Sequence, residues 1–190
     1  MRLGLYGGSF DPIHHGHLIL ARDAIEQLVL DRVVFIPAAV SPHKLDRHPA
    51  PAEVRRAMVA AAITGESRFV LDDSELQRTG PSFTIDTVEQ IRSEFTGADL
   101  FYFIGADNLR ELHTWRRIDD LRRLVQFVVF ERDATAAGHG FPTLVRRIDI
   151  SATEIRARVA RGESIRYLVP EPVRGVIEQH HLYQEPSHRI

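Results

Sequence analysis

The chain has 190 residues, of which 44% are hydrophobic and 26% charged, and its formal net charge is −2, so it is neither a disordered chain nor a broadly basic nucleic-acid-binding protein. It contains no cysteine, which excludes disulfides, thiolate metal sites, iron–sulfur clusters and a cysteine nucleophile. No apolar run is long enough to cross a membrane and residues 1–8 lack the apolar stretch of a signal peptide, so we expect a cytoplasmic protein that binds no membrane.

The first elements in chain order are a strand, a glycine-rich loop and a helix. Residues 2–6 form a short apolar run that stops at two glycines, and apolar residues then recur at helical spacing from Leu18 to Val29. Residues 32–37 (RVVFIP) are a second β-rich run. A strand, a helix and a strand in so short a span predict a βαβ unit with a parallel sheet.

Strands and helices continue to alternate along the rest of the chain. The residue pattern predicts further strands over 69–71, 100–104, 125–130 and 144–150, and further helices over 54–61, 85–95, 151–159 and 173–180. This alternation predicts an α/β domain, with a Rossmann-like doubly wound, mostly parallel sheet and helices on both faces. We expect one domain over residues 1–190, in which 151–190 is a C-terminal helical extension packed on the rest. Ligands should bind beyond the carboxyl ends of the strands.

Residues 7–17 (GGSFDPIHHGH) lie at the first strand-to-helix junction. Glycines allow a sharp turn and a close approach to a ligand, and a helix N-terminus offers unpaired N–H groups to phosphate. His14 and His17 can converge on one anion and, when protonated, offset charge in a transition state. A zinc site and a Walker loop are the alternatives, but HExxH and GK[ST] are both absent. A plain turn with surface histidines is the third alternative.

Residues 150–156 (ISATEIR) begin a later helix. Ser151 and Glu154 have the spacing of a capping box, which predicts an ordinary helix start. A capped N-terminus is also an anion site, and Arg156 adds a permanent charge about one turn into the helix. The segment is therefore compatible both with a simple cap and with a helix start that binds a triphosphate.

Two single residues stand out after other strands. Lys44 lies in the proline-rich segment 41–51, where it is either solvated or in contact with a phosphate, and this segment is the best candidate for a lid. Trp115, the only tryptophan, follows the strand over 100–104 and either packs in the core or lines a site.

Residues 8–17 (GSFDPIHHGH) resemble the signature of the nucleotidyltransferase superfamily that carries the HxGH motif, and are most similar to the form found in bacterial nicotinate mononucleotide adenylyltransferases. Four further segments resemble motifs of that family: 42–44 (PHK), 81–87 (PSFTIDT), 105–115 (GADNLRELHTW) and 150–156. The matching segments are spread from residue 4 to residue 156, which is most of the chain.

The resemblance implies an enzyme that transfers AMP from ATP to nicotinate mononucleotide, giving nicotinate adenine dinucleotide and pyrophosphate in NAD biosynthesis. The alternatives are the same fold acting on nicotinamide mononucleotide, phosphopantetheine or glycerol phosphate, and a nucleotide-binding module without turnover. The resemblance also implies that Mg²⁺ is held mainly by ATP phosphates and water, with no metal ligand from the protein. It implies no nucleic-acid partner, and a homo-oligomer is compatible with it.

The resemblance also implies roles for individual residues. Those implied in catalysis are His14, His17 and Arg156. Those implied in ATP binding are Gly7, Gly8, Ser9, Phe10, His14, His17, Gly105, Asp107, Ser151 and Arg156. Those implied in binding the pyridine nucleotide are Lys44, Phe83, Thr84, Trp115, Arg116 and Arg132. Departures from the family pattern occur at Phe83, where Tyr is common, at Arg116, where an aromatic is frequent, and at Asp133, which replaces a proline.

Overall fold

The computed structural model describes residues 1–39, 49–78, 80, 82–132 and 139–184. Its strands are β1 (Arg2–Gly8), β2 (Arg32–Pro37), β3 (Phe69–Leu71), β4 (Asp99–Gly105), β5 (Gln126–Glu131) and β6 (Thr143–Val145). Its helices are α1 (His15–Gln27), α2 (Ala52–Ile63), α3 (Ser74–Gln77), α4 (Thr84–Glu94), α5 (Ala106–Leu109), α6 (Ile118–Leu124), α7 (Ala152–Ala160) and α8 (Glu171–Gln179), with a 3₁₀ turn at Leu112–Thr114.

The six strands form one sheet in the order β3-β2-β1-β4-β5-β6, and all five pairings are parallel. The chain runs outward from β1 to β3 on one side, then returns to β4 beside β1 and runs outward again. The strand order therefore reverses between β1 and β4, which is where ligands bind in open parallel sheets. The predicted Rossmann-like α/β fold is confirmed.

Side chains of the strands alternate between two apolar layers, as the twofold period of a strand requires. Leu3 and Leu5 of β1 share a core with Val88 of α4 and Leu121 of α6. Tyr6 belongs to the opposite core, which is covered by α1, α2, α7 and α8. Helices thus cover both faces of the sheet, and both ends of the chain contribute to the second core.

Several predicted boundaries are wrong in detail. The apolar pattern extends to Val29, but α1 ends at Gln27, and Val29 is 74% exposed with a φ of 50°. The last strand covers three residues rather than the predicted 144–150. Three short helices (α3, α5 and α6) and the 3₁₀ turn were not predicted, because elements this short carry too few apolar repeats to show a period.

The segments of the chain that lie outside the described residues include 40–48 and 133–138. Lys44 and most of the predicted lid fall there. No described helix has the length and apolar character needed to span a bilayer. The division into one domain with a C-terminal extension stays a prediction.

Candidate active site

The first loop, residues 9–14, connects β1 to α1 at the carboxyl edge of the sheet. A Cβ atom on Gly7 would lie 2.5 Å from the Tyr102 hydroxyl, and one on Gly16 would lie 2.9 Å from Nδ1 of His14. Neither distance is compatible with a side chain, so these two glycines are required by the close approach of Tyr102 and His14. The end of β1 is therefore packed against the Tyr102 hydroxyl, and the start of α1 is packed against the His14 ring.

His14 and His17 lie together at the N-terminus of α1. Their rings stack with centroids 3.8 Å apart, and the backbone N–H of His14 donates to Nδ1 of His17 at 3.2 Å. Because that Nδ1 is an acceptor, the neutral His17 ring carries its proton on Nε2 and can donate from there. Nδ1 of His14 is buried and has no hydrogen-bond partner among the residues that the structure describes.

Burial sets the charge state of this pair. Burial, and then repulsion from His15, lowers the pKa of His14 to about 4. Burial, and then repulsion from His14, lowers the pKa of His17 well below 6.5. Both rings are therefore neutral at pH 7 in the free protein. In this state the pair offers neutral N–H donors rather than protonated rings.

The start of α7 lies against the first loop. The Ser151 hydroxyl accepts a hydrogen bond from the backbone N–H of Glu154 at 3.2 Å, which confirms the predicted N-cap. Arg156 donates to the backbone carbonyl of Asp11 at 2.7 Å and to the Thr153 hydroxyl at 3.2 Å. Two motifs that are 145 positions apart in the chain are thus joined at one place.

A cavity of about 370 Å³ opens at the reversal of strand order, beside the first loop. Its lining is made by the ends of β1 and β4, the start of α4 and the segment after α5. Of the predicted site residues, those that line it are Gly7, Gly8, Ser9, Phe83, Thr84, Trp115 and Arg116. The cavity therefore joins the predicted pyridine-binding residues to the end of β1.

Trp115 both lines this cavity and packs on the core. Its ring meets Tyr102 edge-on at 5.7 Å between centroids and Phe127 at 6.3 Å. The guanidinium of Arg116 lies 4.6 Å from the centre of the Phe83 ring, a cation–π contact. Trp115 therefore both packs in the core and lines the cavity. Arg116 brings a positive charge to the mouth of the cavity.

Glu75 and Tyr102 are among the polar residues of the cavity lining that were not predicted from the sequence. Glu75 is buried, its carboxylate accepts a hydrogen bond from the Thr87 hydroxyl at 2.8 Å, and burial raises its pKa. Burial also raises the pKa of the Tyr102 hydroxyl, which therefore stays protonated. A tyrosine between phenylalanines in the β4 run, and an acid shortly after β3, were the available signals.

The other predicted residues that the structure describes lie outside the cavity lining, and the side chain of Phe10 is buried in the core. Gly105 ends β4 and Asp107 lies in α5 with its side chain exposed. Arg132 follows β5 and is also exposed. The two histidines and Arg156 border the first loop rather than the cavity itself. Lys44 lies outside the described residues.

Arg55 of α2, which is only 2% exposed, is another residue that was not predicted from the sequence. Its guanidinium donates to the carbonyl oxygens of Ser9 at 2.8 Å and Ala38 at 2.7 Å. It also donates to those of Ala39 at 3.1 Å and Ala50 at 3.0 Å. Arg55 thus connects the first loop to the segments on either side of residues 40–48.

Comparison with known proteins identifies the family of this chain. The family model described as cytidylyltransferase-like matches residues 5–158. A protein of Thermus thermophilus named "Probable nicotinate-nucleotide adenylyltransferase" is 43% identical over 188 residues, which cover 97% of this chain and all of that protein. A protein of the same name from Opitutus terrae is 41% identical over 198 residues, covering 97% of this chain and 98% of the other.

Solved structures share the fold at lower sequence identity. The Plasmodium falciparum nicotinic acid mononucleotide adenylyltransferase complexed with NaAD superposes with a TM-score of 0.76 at 19% identity, covering 96% of this chain and 97% of that one. A putative nicotinate-nucleotide adenylyltransferase from Vibrio parahaemolyticus gives a TM-score of 0.70 at 21% identity, covering 97% and 96%. The chain belongs to the cytidylyltransferase-like family and, within it, to the group of bacterial nicotinate-nucleotide adenylyltransferases that the sequence resemblance predicted.

Proposed function

We propose that this chain transfers the adenylyl group of ATP to nicotinate mononucleotide, forming nicotinate adenine dinucleotide and pyrophosphate in NAD biosynthesis. Full-length relatives that are about 40% identical carry the name of this activity. The structural observation that carries the proposal is the contact of Arg156 with the carbonyl of Asp11, beside the histidine pair. This contact places a fixed cation and neutral N–H donors around one loop, next to a cavity with an aromatic wall.

The reaction needs no general base and no nucleophile from the protein. The 5′-phosphate of the mononucleotide is already an anion, and one of its oxygens forms a bond to the α-phosphorus of ATP. The bond from that phosphorus to the oxygen bridging to the β-phosphate breaks, and pyrophosphate leaves with the electron pair. Catalysis then consists of positioning both substrates and stabilising the charge on the phosphoryl oxygens.

We assign the ATP phosphates to the first loop and to the helix starts on either side of it. Gly8, Ser9 and the backbone near Phe10 would contact the phosphates, while His14 and His17 donate to them as neutral rings. Neutral donors suit this site, since they stabilise charge in the transition state without a proton that must be lost or gained.

The departing pyrophosphate is assigned to the start of α7. The Ser151 cap leaves backbone N–H groups of the first turn for phosphate oxygens, and Arg156 supplies the charge. Gly105 and Asp107, at the end of β4, are assigned to the adenosine ribose, where a carboxylate accepts hydrogen bonds from hydroxyl groups.

The nicotinate mononucleotide is assigned to the cavity. Trp115 and Phe83 offer aromatic surface to the pyridine ring, and backbone N–H groups at Thr84, where α4 begins, can donate to its carboxylate. Arg116 adds a positive charge at the mouth, which favours a carboxylate over a neutral amide. Lys44 and Arg132 stay predicted contacts of the substrate phosphates.

We infer that Mg²⁺ enters with ATP and is held by phosphate oxygens and water. Among the described residues, no group of three or more histidine or acidic side chains is placed to hold a metal ion. Bound in this way, Mg²⁺ offsets the charge of the phosphates. Homo-oligomer formation, a cytoplasmic location and the lack of a nucleic-acid partner stay predictions.

The proposed reaction is tested by an acceptor panel. Pyrophosphate release from ATP and Mg²⁺ is measured with nicotinate mononucleotide, nicotinamide mononucleotide, phosphopantetheine and glycerol phosphate. We expect the highest kcat/KM with nicotinate mononucleotide. A higher kcat/KM with any other acceptor would reassign the cavity, and ATP binding without release on all four would indicate a binding module.

A further inference from the structure

Tyr183, in the segment that follows α8, contacts the first loop. Its hydroxyl donates to Oδ1 of Asp11 at 2.6 Å, across 172 positions of the chain. Asp11 is 8% exposed, so its carboxylate is withdrawn from water. Tyr183 has a φ of 62°, a conformation that is costly for a residue with a side chain and that persists only where the surroundings fix it.

The Asp11 carboxylate has Arg156 beside it and is linked through Ala50 to Arg55. Arg156 is held by the backbone carbonyl of Asp11, and its guanidinium is 4.0 Å from Oδ2 of the same residue. Ala50 donates its N–H to Oδ1 at 3.2 Å, and the carbonyl of Ala50 accepts from Arg55. Asp11 is thus a buried carboxylate that is in contact with Arg156 and linked through Ala50 to Arg55.

The hydrogen bond from the Tyr183 hydroxyl competes with the ion pair between the Asp11 carboxylate and Arg156. Burial and the bond to Asp11 raise the pKa of Tyr183, so the hydroxyl keeps its proton and is the donor. A buried carboxylate that loses one of its donors needs another, because an unsatisfied buried charge is costly. The guanidinium of Arg156 is the group 4.0 Å away that could supply it.

We propose that Tyr183 is a positioning residue for adenylyl transfer: its hydroxyl occupies the Asp11 carboxylate, so that Arg156 remains directed at the pyrophosphate portion of ATP. This inference rests on the proposed function and extends it to a residue that lies 25 positions beyond the last residue matched by the family model. Tyr183 touches no substrate in this account; it acts through Asp11 and Arg156.

The test is Tyr183→Phe, which removes only the hydroxyl. We expect the KM for ATP and the product-inhibition constant of pyrophosphate to rise about tenfold, the size of one charge-assisted hydrogen bond. The KM for nicotinate mononucleotide should stay within about twofold, because its cavity does not include Arg156. A purely structural role would lower the active fraction and leave both KM values unchanged.

A double-mutant cycle and a matched control complete the experiment. In an Asp11→Asn background, Tyr183→Phe should change the KM for ATP less than twofold, since the charge it satisfies is gone. The control is Tyr167→Phe, because Tyr167 is 77% exposed and has no part in the proposed site. Its kinetics should equal those of the wild type.

The outcomes separate this inference from the proposed function. A wild-type protein that makes no dinucleotide contradicts the function itself. An active wild type with an unchanged KM for ATP in Tyr183→Phe overturns only the role of Tyr183, as does an equal effect in the Asp11→Asn background. Should Tyr183→Phe fail to fold, Asp11→Asn alone must not raise the KM for ATP, because the carboxylate that would compete for Arg156 is gone, and a tenfold rise overturns the proposal.

Discussion

Arg55 donates a hydrogen bond to the carbonyl oxygen of Ser9 at 2.8 Å, from inside the protein and beneath the first loop. The same guanidinium nitrogen donates to Ala38, just after β2. Burial lowers the pKa of Arg55, and the nearby Asp11 carboxylate opposes that change. One buried side chain on α2 therefore sets the spacing between the loop assigned to ATP and the chain that leaves the neighbouring strand.

Arg55→Leu is expected to destabilise the protein by about 3–5 kcal/mol, because four carbonyl oxygens, one buried and three partly buried, lose a donor. Urea unfolding measures this loss. Arg56→Leu is the matched control, since Arg56 is next in the chain but forms an ion pair with Asp73 near the surface. Its loss should be much smaller, because an exposed ion pair contributes little to stability. Equal losses in the two variants would show that Arg55 does not hold the loop.

His17→Ala is expected to lower kcat by roughly 10²–10³ with the fold intact, the size of the loss when one preorganised donor is removed. Steady-state kinetics with ATP and nicotinate mononucleotide measure it, and circular dichroism checks the fold. His180→Ala, at the exposed C-terminus of α8, is the control and should be fully active. An unchanged kcat in folded His17→Ala would remove His17 from the mechanism.

Trp115→Ala is expected to raise the KM for nicotinate mononucleotide while leaving the KM for ATP near its original value. The reason is that Trp115 lines the cavity, whereas the histidine pair and Arg156 lie outside its lining. Because the chain has a single tryptophan, its fluorescence should also change when the mononucleotide alone is titrated into the wild type. Equal increases in both KM values would show that the two substrates do not occupy separate regions.

The stability of the protein should fall as the pH drops from 6.5 toward 4. The unfolded chain binds a proton on His14 near pH 6.5, whereas the folded chain binds it only near the lowered pKa of about 4. The unfolded state therefore holds more protons in this window, and stability rises with pH through it. His14 alone should contribute about 2 kcal/mol between pH 7.5 and pH 5.

Urea unfolding of the wild type and His14→Gln at the two pH values measures this contribution. The carboxylates titrate in both proteins, so the difference between their pH dependences reports His14 together with its repulsion of His17. The variant should lose less stability on acidification than the wild type. Identical pH dependences would mean that His14 is not held as a neutral ring.

The order of the strands and longer helices and the place of the candidate site could be predicted from the sequence, because both depend on local patterns. The glycines and histidines of residues 7–17 mark a strand-to-helix junction, and the apolar runs over 32–37 and 100–104 mark buried parallel strands. The capped start of α7 was visible in Ser151 and Glu154 for the same reason.

The contacts that hold the site together could not be predicted in this way. Arg55 donates to backbone carbonyls, which every residue carries, and an arginine on a helix is usually solvated. Tyr183 and Arg156 meet Asp11 across 172 and 145 positions, and no local pattern encodes such distant pairs. The neutral state of the histidine pair depends on burial, which follows from the packed fold rather than from spacing.

The most direct test of the account is the position of the nucleotide. A crystal structure of the protein with a non-hydrolysable ATP analogue and Mg²⁺ should place phosphate oxygens within about 3.2 Å of donors on the first loop, the His14–His17 pair and Arg156. The cavity lined by Trp115 should hold no nucleotide until the mononucleotide is added. A polyphosphate bound elsewhere, with the first loop facing solvent, would contradict the assignment of this loop to ATP.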